Sequence, residues 1–242
     1  MALEYMKKSI TEVEYDDTEK PLNDFPRKLT KHLAERFDLS GKMIDIACGR
    51  GEHCQGFHEL GIDVWAADMT ETAAYAYERK NERFKLWEIG KEPAPFDDNT
   101  FDIAFCKSMI EHVDGEALLN EIARILKPGG KAVILTGDWW YDFRYWYIDH
   151  THGNGVPWMK RSMRNILLAF GFENLVVENM YYLPWTWNNS LGRLLCTFIR
   201  LFPYFYTDNF TNPLWKIYRF SNEVQLLGFG TLEKEDNKQL SI

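Results

Sequence analysis

Cysteine is scarce in this 242-residue sequence: four occur, Cys48, Cys54, Cys106 and Cys196, with no CxxC pair and no ligand spacing. A disulfide framework and a zinc ribbon are therefore not expected, and the usage suits a reducing, cytoplasmic compartment. Long apolar runs are missing too. No stretch of about 18 apolar residues occurs to span a bilayer. The opening Met-Ala-Leu-Glu-Tyr-Met-Lys-Lys lacks the apolar core of a secretory signal. Positive charge is in deficit: 28 Lys and Arg against 36 Asp and Glu give a net charge of −8, which argues against nucleic acid as a partner. No internal repeat is visible. His150-x-His152 beside Asp138 or Asp149 is the nearest approach to a metal set, but that pattern recurs by chance, and no metal is expected.

What the chain does have is apolar residue, 45%, enough for one sizeable core. Aromatics reach 15%, with nine tryptophans weighted towards the second half. One α/β domain with elaborations is the expected organisation.

The chain turns on Met43-Ile-Asp-Ile-Ala-Cys-Gly-Arg-Gly-Glu-His-Cys-Gln-Gly56. Its front, Met43 to Ala47, is short and apolar except for Asp45, and reads as a strand buried on both faces. Cys48 to Gly51 is a turn in which Gly49 and Gly51 can take positive φ and let a ligand approach the backbone. From Glu52 a helix runs to about Leu60 and stops at Gly61. A strand feeding a glycine turn that opens a helix makes a nucleotide site, because the helix start offers unpaired N–H groups. Asp68 closes the next apolar run, Val64-Trp-Ala-Ala-Asp, 17 residues after Gly51. An acid there can accept both hydroxyls of a ribose lying over the turn.

Dinucleotide dehydrogenases and S-adenosylmethionine binders share that much. Three details favour the methyl donor. The small third residue of the dinucleotide pattern is replaced by Cys54. Asp45 lies where a cationic amino-acid ligand would want a carboxylate and a pyrophosphate would not. Phe101-Asp-Ile-Ala-Phe-Cys and Ile125-Leu-Lys-Pro-Gly-Gly-Lys-Ala-Val-Ile-Leu follow at the distances of the fourth and fifth strands of a doubly wound sheet. Over about residues 25 to 182 the ordered set resembles the class I S-adenosylmethionine-dependent methyltransferases, especially those acting on small molecules, quinones, lipids and sugars.

The resemblance implies a doubly wound, seven-stranded, mostly parallel Rossmann-like α/β sheet, with the last strand antiparallel beside the fifth. It implies S-adenosylmethionine as cofactor, with Asp45, Ala47, Gly49 and Gly51 cradling the methionine portion. Asp68 would take the ribose and Met69 one face of the adenine. The family's acidic contact to the adenine amino group falls on Gly90 here, a departure that leaves Glu88 or backbone atoms for the role. Lys107-Ser-Met-Ile-Glu-His-Val corresponds to the segment beside the transferred methyl. Lys107 is counted with the cofactor site, whereas Glu111 and His112 are partly structural in the family.

The remaining elements follow from pattern. Residues 1 to 24 read as an N-terminal arm, and the core as 25 to 183. Pro26 opens a helix with Leu29, Leu33 and Phe37 on one face. Thr70 is expected to cap a helix over Glu71 to Asn81, followed by a third strand at Phe84 to Ile89. Glu116 to Leu126 is amphipathic and ends at Lys127-Pro-Gly-Gly; Lys131 to Gly137 is the fifth strand. Met159 to Gly171 is a helix, and Phe172 to Tyr182 the sixth strand. Residues 184 to 220 read as a cap inserted before the last core strand (within 221 to 232), and 233 to 242 as a polar tail. The cap contains a helix over Leu191 to Phe202 with Arg193 and Arg200 on one face. It carries four basic residues, Arg193, Arg200, Lys216 and Arg219, against Asp208 alone. Its apolar face is expected to close the active site; the other reading is peripheral membrane contact through that face and a basic rim.

Asp138 to Trp158 concentrates eight aromatics around Asp149-His-Thr-His152, a loop of a length that is usually functional. Methyl transfer from a sulfonium is an in-line displacement, so the protein mainly holds acceptor and methyl in line. A hydroxyl or amine acceptor must also lose a proton, which a histidine can take, and aromatic faces favour the sulfonium. His150 and His152 are the candidate bases, with a turn lock as the bland alternative. The expected function is methyl transfer to a small-molecule, sugar or lipid-linked acceptor. The alternatives are a methyltransferase acting on protein side chains and a non-catalytic S-adenosylmethionine-binding partner protein.

Overall fold

The first core strand, β1 (Lys42–Ile46), buries Met43 towards one layer of helices and Ile44 and Ile46 towards the other, as alternation along a strand requires. The computed structural model describes residues 24–141, 156–202 and 213–233. Around β1 a seven-stranded sheet forms in the order β3-β2-β1-β4-β5-β7-β6. The parallel part comprises β1, β2 (Asp63–Asp68), β3 (Phe84–Leu86), β4 (Phe101–Lys107) and β5 (Leu126–Gly137). β7 (Val224–Leu232) runs antiparallel between β5 and β6 (Phe172–Tyr181), as expected. The strand order reverses between β1 and β4, which opens a crevice at the carboxyl ends of the strands.

Two helical layers cover the sheet. On one face α1 (Phe25–Phe37) and α2 (Glu52–Glu59) bring Leu29, Leu33, Phe37 and Phe57 against Met43, Val64, Phe105 and Leu227. Phe37 stacks on Phe229 with ring centroids 4.1 Å apart. On the other face α4 (Gly115–Ile125) and α5 (Lys160–Ala169) bring Leu118, Ile122, Met163 and Leu167 against Ile44, Ala104, Ile134 and Leu226. Asp114 caps α4, its carboxylate accepting from Glu116 N at 2.9 Å. β5 leaves α4 directly at Leu126, so Lys127-Pro-Gly-Gly ends the helix as extended chain.

The helix expected over residues 71 to 81 does not form; only α3 (Lys80–Arg83) is helical there. The preceding residues are turns, and Ala74 is left-handed at φ 58°. The cause is tertiary. Ala74 N–H donates to Gly49 O at 2.6 Å and Ala76 N–H to Arg50 O at 2.9 Å, so the stretch is spent closing over the glycine turn instead of hydrogen-bonding to itself. The third strand is also shorter than expected, ending at Leu86.

After β6 the chain makes a 3₁₀ turn (Pro184–Thr186), then α6 (Ser190–Ile199) and α7 (Pro213–Asn222), before entering β7. Sequence pattern anticipated α6 but not α7. Arg193 and Arg200 share the side of α6 towards β6, as expected, but differ in exposure: Arg193 is exposed near Glu178, whereas Arg200 points inward. Arg200 Nε donates to Ser221 O at 2.9 Å, and its guanidinium bonds the Tyr181 hydroxyl. It also lies 4.6 and 4.8 Å from the ring centres of Tyr141 and Tyr181. One side chain thus ties both cap helices to the end of β6. Arg200→Ala is expected to cost about 1–3 kcal/mol, lowering the melting temperature by about 3–10 °C, with Arg200→Lys recovering only part of it. An unchanged melting temperature would show that the cap is held by its apolar contacts alone.

Candidate active site

The crevice is lined first by the turn after β1. Ala47, Gly49 and Gly51 all have left-handed backbone, at φ 58°, 53° and 81°. At Gly49 this lets the N–H donate to Asp68 Oδ2 at 3.0 Å, while Thr70 N–H donates to Oδ1 at 3.1 Å. Gly51 is held by its own chain: its N–H donates to Cys48 O, and a Cβ there would stand 2.9 Å from Ala74 Cα. Gly51 therefore shapes the turn through close packing, a demand separate from ligand approach.

Asp68 is buried at the end of β2. Burial pushes its carboxyl above the ordinary carboxylate range, while the Gly49 and Thr70 amides pull it back. The Thr70 hydroxyl and the Met69 amide pull it the same way, so the carboxylate gathers donors from the turn after β1 and from the chain that follows β2. Asp45 is buried beneath the turn, with Cys54 Sγ donating to Oδ2 at 3.1 Å. Burial raises the Asp45 carboxyl to about 7 against the Cys54 bond, with Asp68 raising it further and Lys107 lowering it. Cys54 thus serves, from the first turn of α2, as a thiol donor to Asp45, not merely as a departure from a small residue.

The other predicted residues fall around this centre. Met69 is exposed immediately after Asp68. Glu88 pairs with Lys91 at the surface beyond β3, and its own N–H donates to Glu92 Oε1 at 3.1 Å. Lys107 ends β4, with burial lowering its pKa against the opposing pull of Glu111 and Asp45. Glu111 is buried, burial raising its carboxyl. His112 is exposed.

The aromatic stretch after β5 is anchored at both ends. Trp139 N–H donates to Trp158 O at 2.9 Å, Val156 N–H to Glu111 O at 3.2 Å, and Trp158 Nε1 to Ile110 O at 3.2 Å. Trp158 is buried against Gly115, where a Cβ would approach its ring to 2.7 Å, so this aromatic caps the core. His150 and His152, with Asp149, lie outside the described residues. So do most of the arm and tail.

Sequence pattern passed over His53, the second residue of α2. It is half-buried, with Nε2 buried and unpartnered and its ring centre 5.5 Å from that of Phe105. Burial, aided by the charge of Lys107, lowers its pKa to about 3, so it stays neutral. Gln225, opposite Gly137 on β7, is buried with neither amide atom partnered. Only the packing of separate elements reveals either residue. Among the described residues no group of three His, Cys, Asp or Glu is arranged to hold a metal.

Residues 44–134 match the sequence profile of the methyltransferase domain, a span running from β1 to the middle of β5 and containing the whole crevice. This segment is a class I S-adenosylmethionine-dependent methyltransferase domain. Over 128 residues the chain is 29% identical to a ubiquinone biosynthesis O-methyltransferase of Xanthomonas oryzae, covering 50% of this chain and 54% of that protein. Over 122 residues it is 27% identical to a sterol 4-C-methyltransferase of Caenorhabditis elegans, covering 47% and 36%. The chain spans about half or less of the length of these curated relatives. Among solved structures, an S-adenosylmethionine-dependent methyltransferase from Archaeoglobus fulgidus superposes with a TM-score of 0.58 at 19% identity, covering 85% of this chain and 94% of that one. A methyltransferase solved in complex with the Haloferax volcanii Trm112 activator superposes with a TM-score of 0.65 at 18% identity, covering 88% and 91%. At these identities the structural likeness establishes the methyltransferase fold.

Proposed function

We propose that the protein transfers the methyl group of S-adenosylmethionine to a small-molecule acceptor of lipophilic or lipid-linked character. The observation that carries this reading is Asp68, buried at the end of β2 beside the strand-order reversal, its carboxylate bonded to the Gly49 amide of the glycine turn. The curated relatives named for ubiquinone and sterol methylation support a lipophilic acceptor.

The residues present suit this cofactor. Asp68 would accept the ribose hydroxyls, Met69 would cover one face of the adenine, and Ala47, Gly49 and Gly51 would shape the cradle for the methionine portion. Asp45 and Lys107 set the charge beneath it, and Glu88 is assigned the adenine edge. When bound, S-adenosylmethionine supplies an electrophilic methyl on a good neutral leaving group. The protein's share is then to align the acceptor, exclude water and take up a proton. His150 or His152 is assigned the proton, from a stretch whose two ends meet at Trp139 and Trp158.

Asp45 makes a test with a defined sign. Its carboxyl ionises near 3.8 when unfolded and about 7 when folded, so the folded state binds more protons between those values. Folding stability therefore falls as pH rises through that window and is flat above it. Asp45→Asn should melt several degrees above wild type at pH 8 and lose that advantage near pH 4. Its affinity for S-adenosylmethionine should fall at least about tenfold, as expected for loss of a charge-assisted contact. A variant that is stabilised yet binds normally would remove Asp45 from the cofactor site.

The function itself is tested by incubating the protein with methyl-labelled S-adenosylmethionine and a fractionated cell extract. Label is expected in the small-molecule or lipid fraction. Label in protein would favour a side-chain methyltransferase, and binding without any transfer would favour a non-catalytic partner.

A further inference from the structure

The face of α6 that was expected to close the active site is turned to solvent. Leu191, Leu194, Leu195, Phe198, Leu201 and Phe202 recur at helical spacing, continuing through the turn after the helix. They are 63%, 51%, 48%, 56%, 76% and 66% exposed. The opposite side, through Gly192 and Cys196, is what packs inward. The helix is therefore amphipathic in the reverse sense from a core helix, whose apolar stripe faces the interior. On the same cap Trp185 is 48% exposed, and α7 adds Leu214 at 74% and Ile217 at 46%. An exposed apolar stripe of this kind is a binding surface in a folded protein.

We infer that this face seats the protein on an anionic lipid surface. Charge selects that occupant. Residues 184 to 220 hold Arg193, Arg200, Lys216 and Arg219 against Asp208 alone, within a chain of net charge −8. Arg200 is engaged with the core and Arg219 pairs with Glu223, while Lys216 is exposed on α7 and Arg193 is exposed on the flank of α6 near Glu178. An apolar face with a cationic margin matches a bilayer interface, where basic residues meet acidic headgroups and an exposed Trp suits the interfacial zone. A second copy packed face to face would oppose these like charges across a two-fold axis.

Length agrees as well: no helix among the described residues is long and apolar enough to cross a membrane, so the contact is peripheral. Topology gives it a use. The cap leaves the carboxyl end of β6 at Tyr181 and returns at Val224, at the same end of the sheet as the glycine turn and Asp68. An acceptor embedded in a leaflet would then be presented near the crevice without entering water.

The test is flotation of the full chain with vesicles of phosphatidylcholine alone and of phosphatidylcholine with phosphatidylglycerol at about 3:1, at low and high salt. Wild type is expected to float with the anionic vesicles at low salt and far less with the neutral ones. The double variant Phe198→Asp with Leu201→Asp should lose at least about tenfold in partitioning. Arg193→Glu with Lys216→Glu should abolish the preference for anionic lipid. All four positions are exposed, so melting temperature and S-adenosylmethionine binding should be unchanged, which separates this result from failure of the methyltransferase reading. Absence of flotation at low salt overturns the inference. So does a wild-type dimer that Phe198→Asp with Leu201→Asp converts to monomer while neither form binds vesicles, since the face would then be a self-contact.

Discussion

Asp68→Ala is expected to weaken S-adenosylmethionine binding by about one to three orders of magnitude, because two charge-assisted hydrogen bonds to the ribose would be lost at roughly 1–3 kcal/mol each. The same carboxylate also holds the Gly49 and Thr70 amides, at 3.0 and 3.1 Å. Removing it leaves those N–H groups without their acceptor and loosens the glycine turn, so the melting temperature should fall even without ligand. Asp68→Asn separates the two effects poorly, since its NH₂ would face a backbone N–H. The separation comes from ligand-induced stabilisation. Saturating S-adenosylmethionine should raise the wild-type melting temperature by several degrees and leave Asp68→Ala almost unmoved. Equal affinities for wild type and variant would remove the ribose role from Asp68.

His150→Ala or His152→Ala carries the other large expected effect. If one of them takes the acceptor proton, its loss should cut turnover by about two to four orders of magnitude while S-adenosylmethionine binding persists. The pH–rate profile of wild type should show a limb in the histidine range that the active-site variant lacks. The structural support is indirect: the stretch that bears them is closed at its base by Trp139 and Trp158 and tied to the exit of β4 at Glu111. A variant that melts earlier but turns over normally at low temperature would make its histidine a turn lock. An unchanged rate in both variants would turn attention to His53 and Gln225, whose buried polar atoms have no partner.

The path from β1 to Asp68 was legible because it rests on local rules. A short apolar run buried on both faces defines the strand, a glycine pair defines the turn, and an acid at the end of the next strand completes the site. The order of the last strands was carried by resemblance and agrees with the observed pairing of β7 between β5 and β6. The helix expected over residues 71 to 81 failed for a reason no window can contain. Ala73, Ala74 and Tyr77 do face the core, but Ala74 must go left-handed to reach Gly49. The amphipathicity of α6 was equally plain in its sequence, while the direction of its apolar face was not. Periodicity marks a stripe and says nothing of what covers it. Arg200 shows the same limit, because its partners Ser221, Tyr141 and Tyr181 converge only once the cap has folded onto β6.

The central claim is that the crevice between the ends of β1, β2 and β4 is an S-adenosylmethionine site organised by Asp68. Calorimetric titration of the full-length protein with S-adenosylmethionine, repeated with NAD, tests it most directly. The account predicts saturable 1:1 binding of S-adenosylmethionine, abolished or strongly weakened in Asp68→Ala, and no competition from NAD. Tight NAD binding, or S-adenosylmethionine affinity indifferent to Asp68, would contradict it.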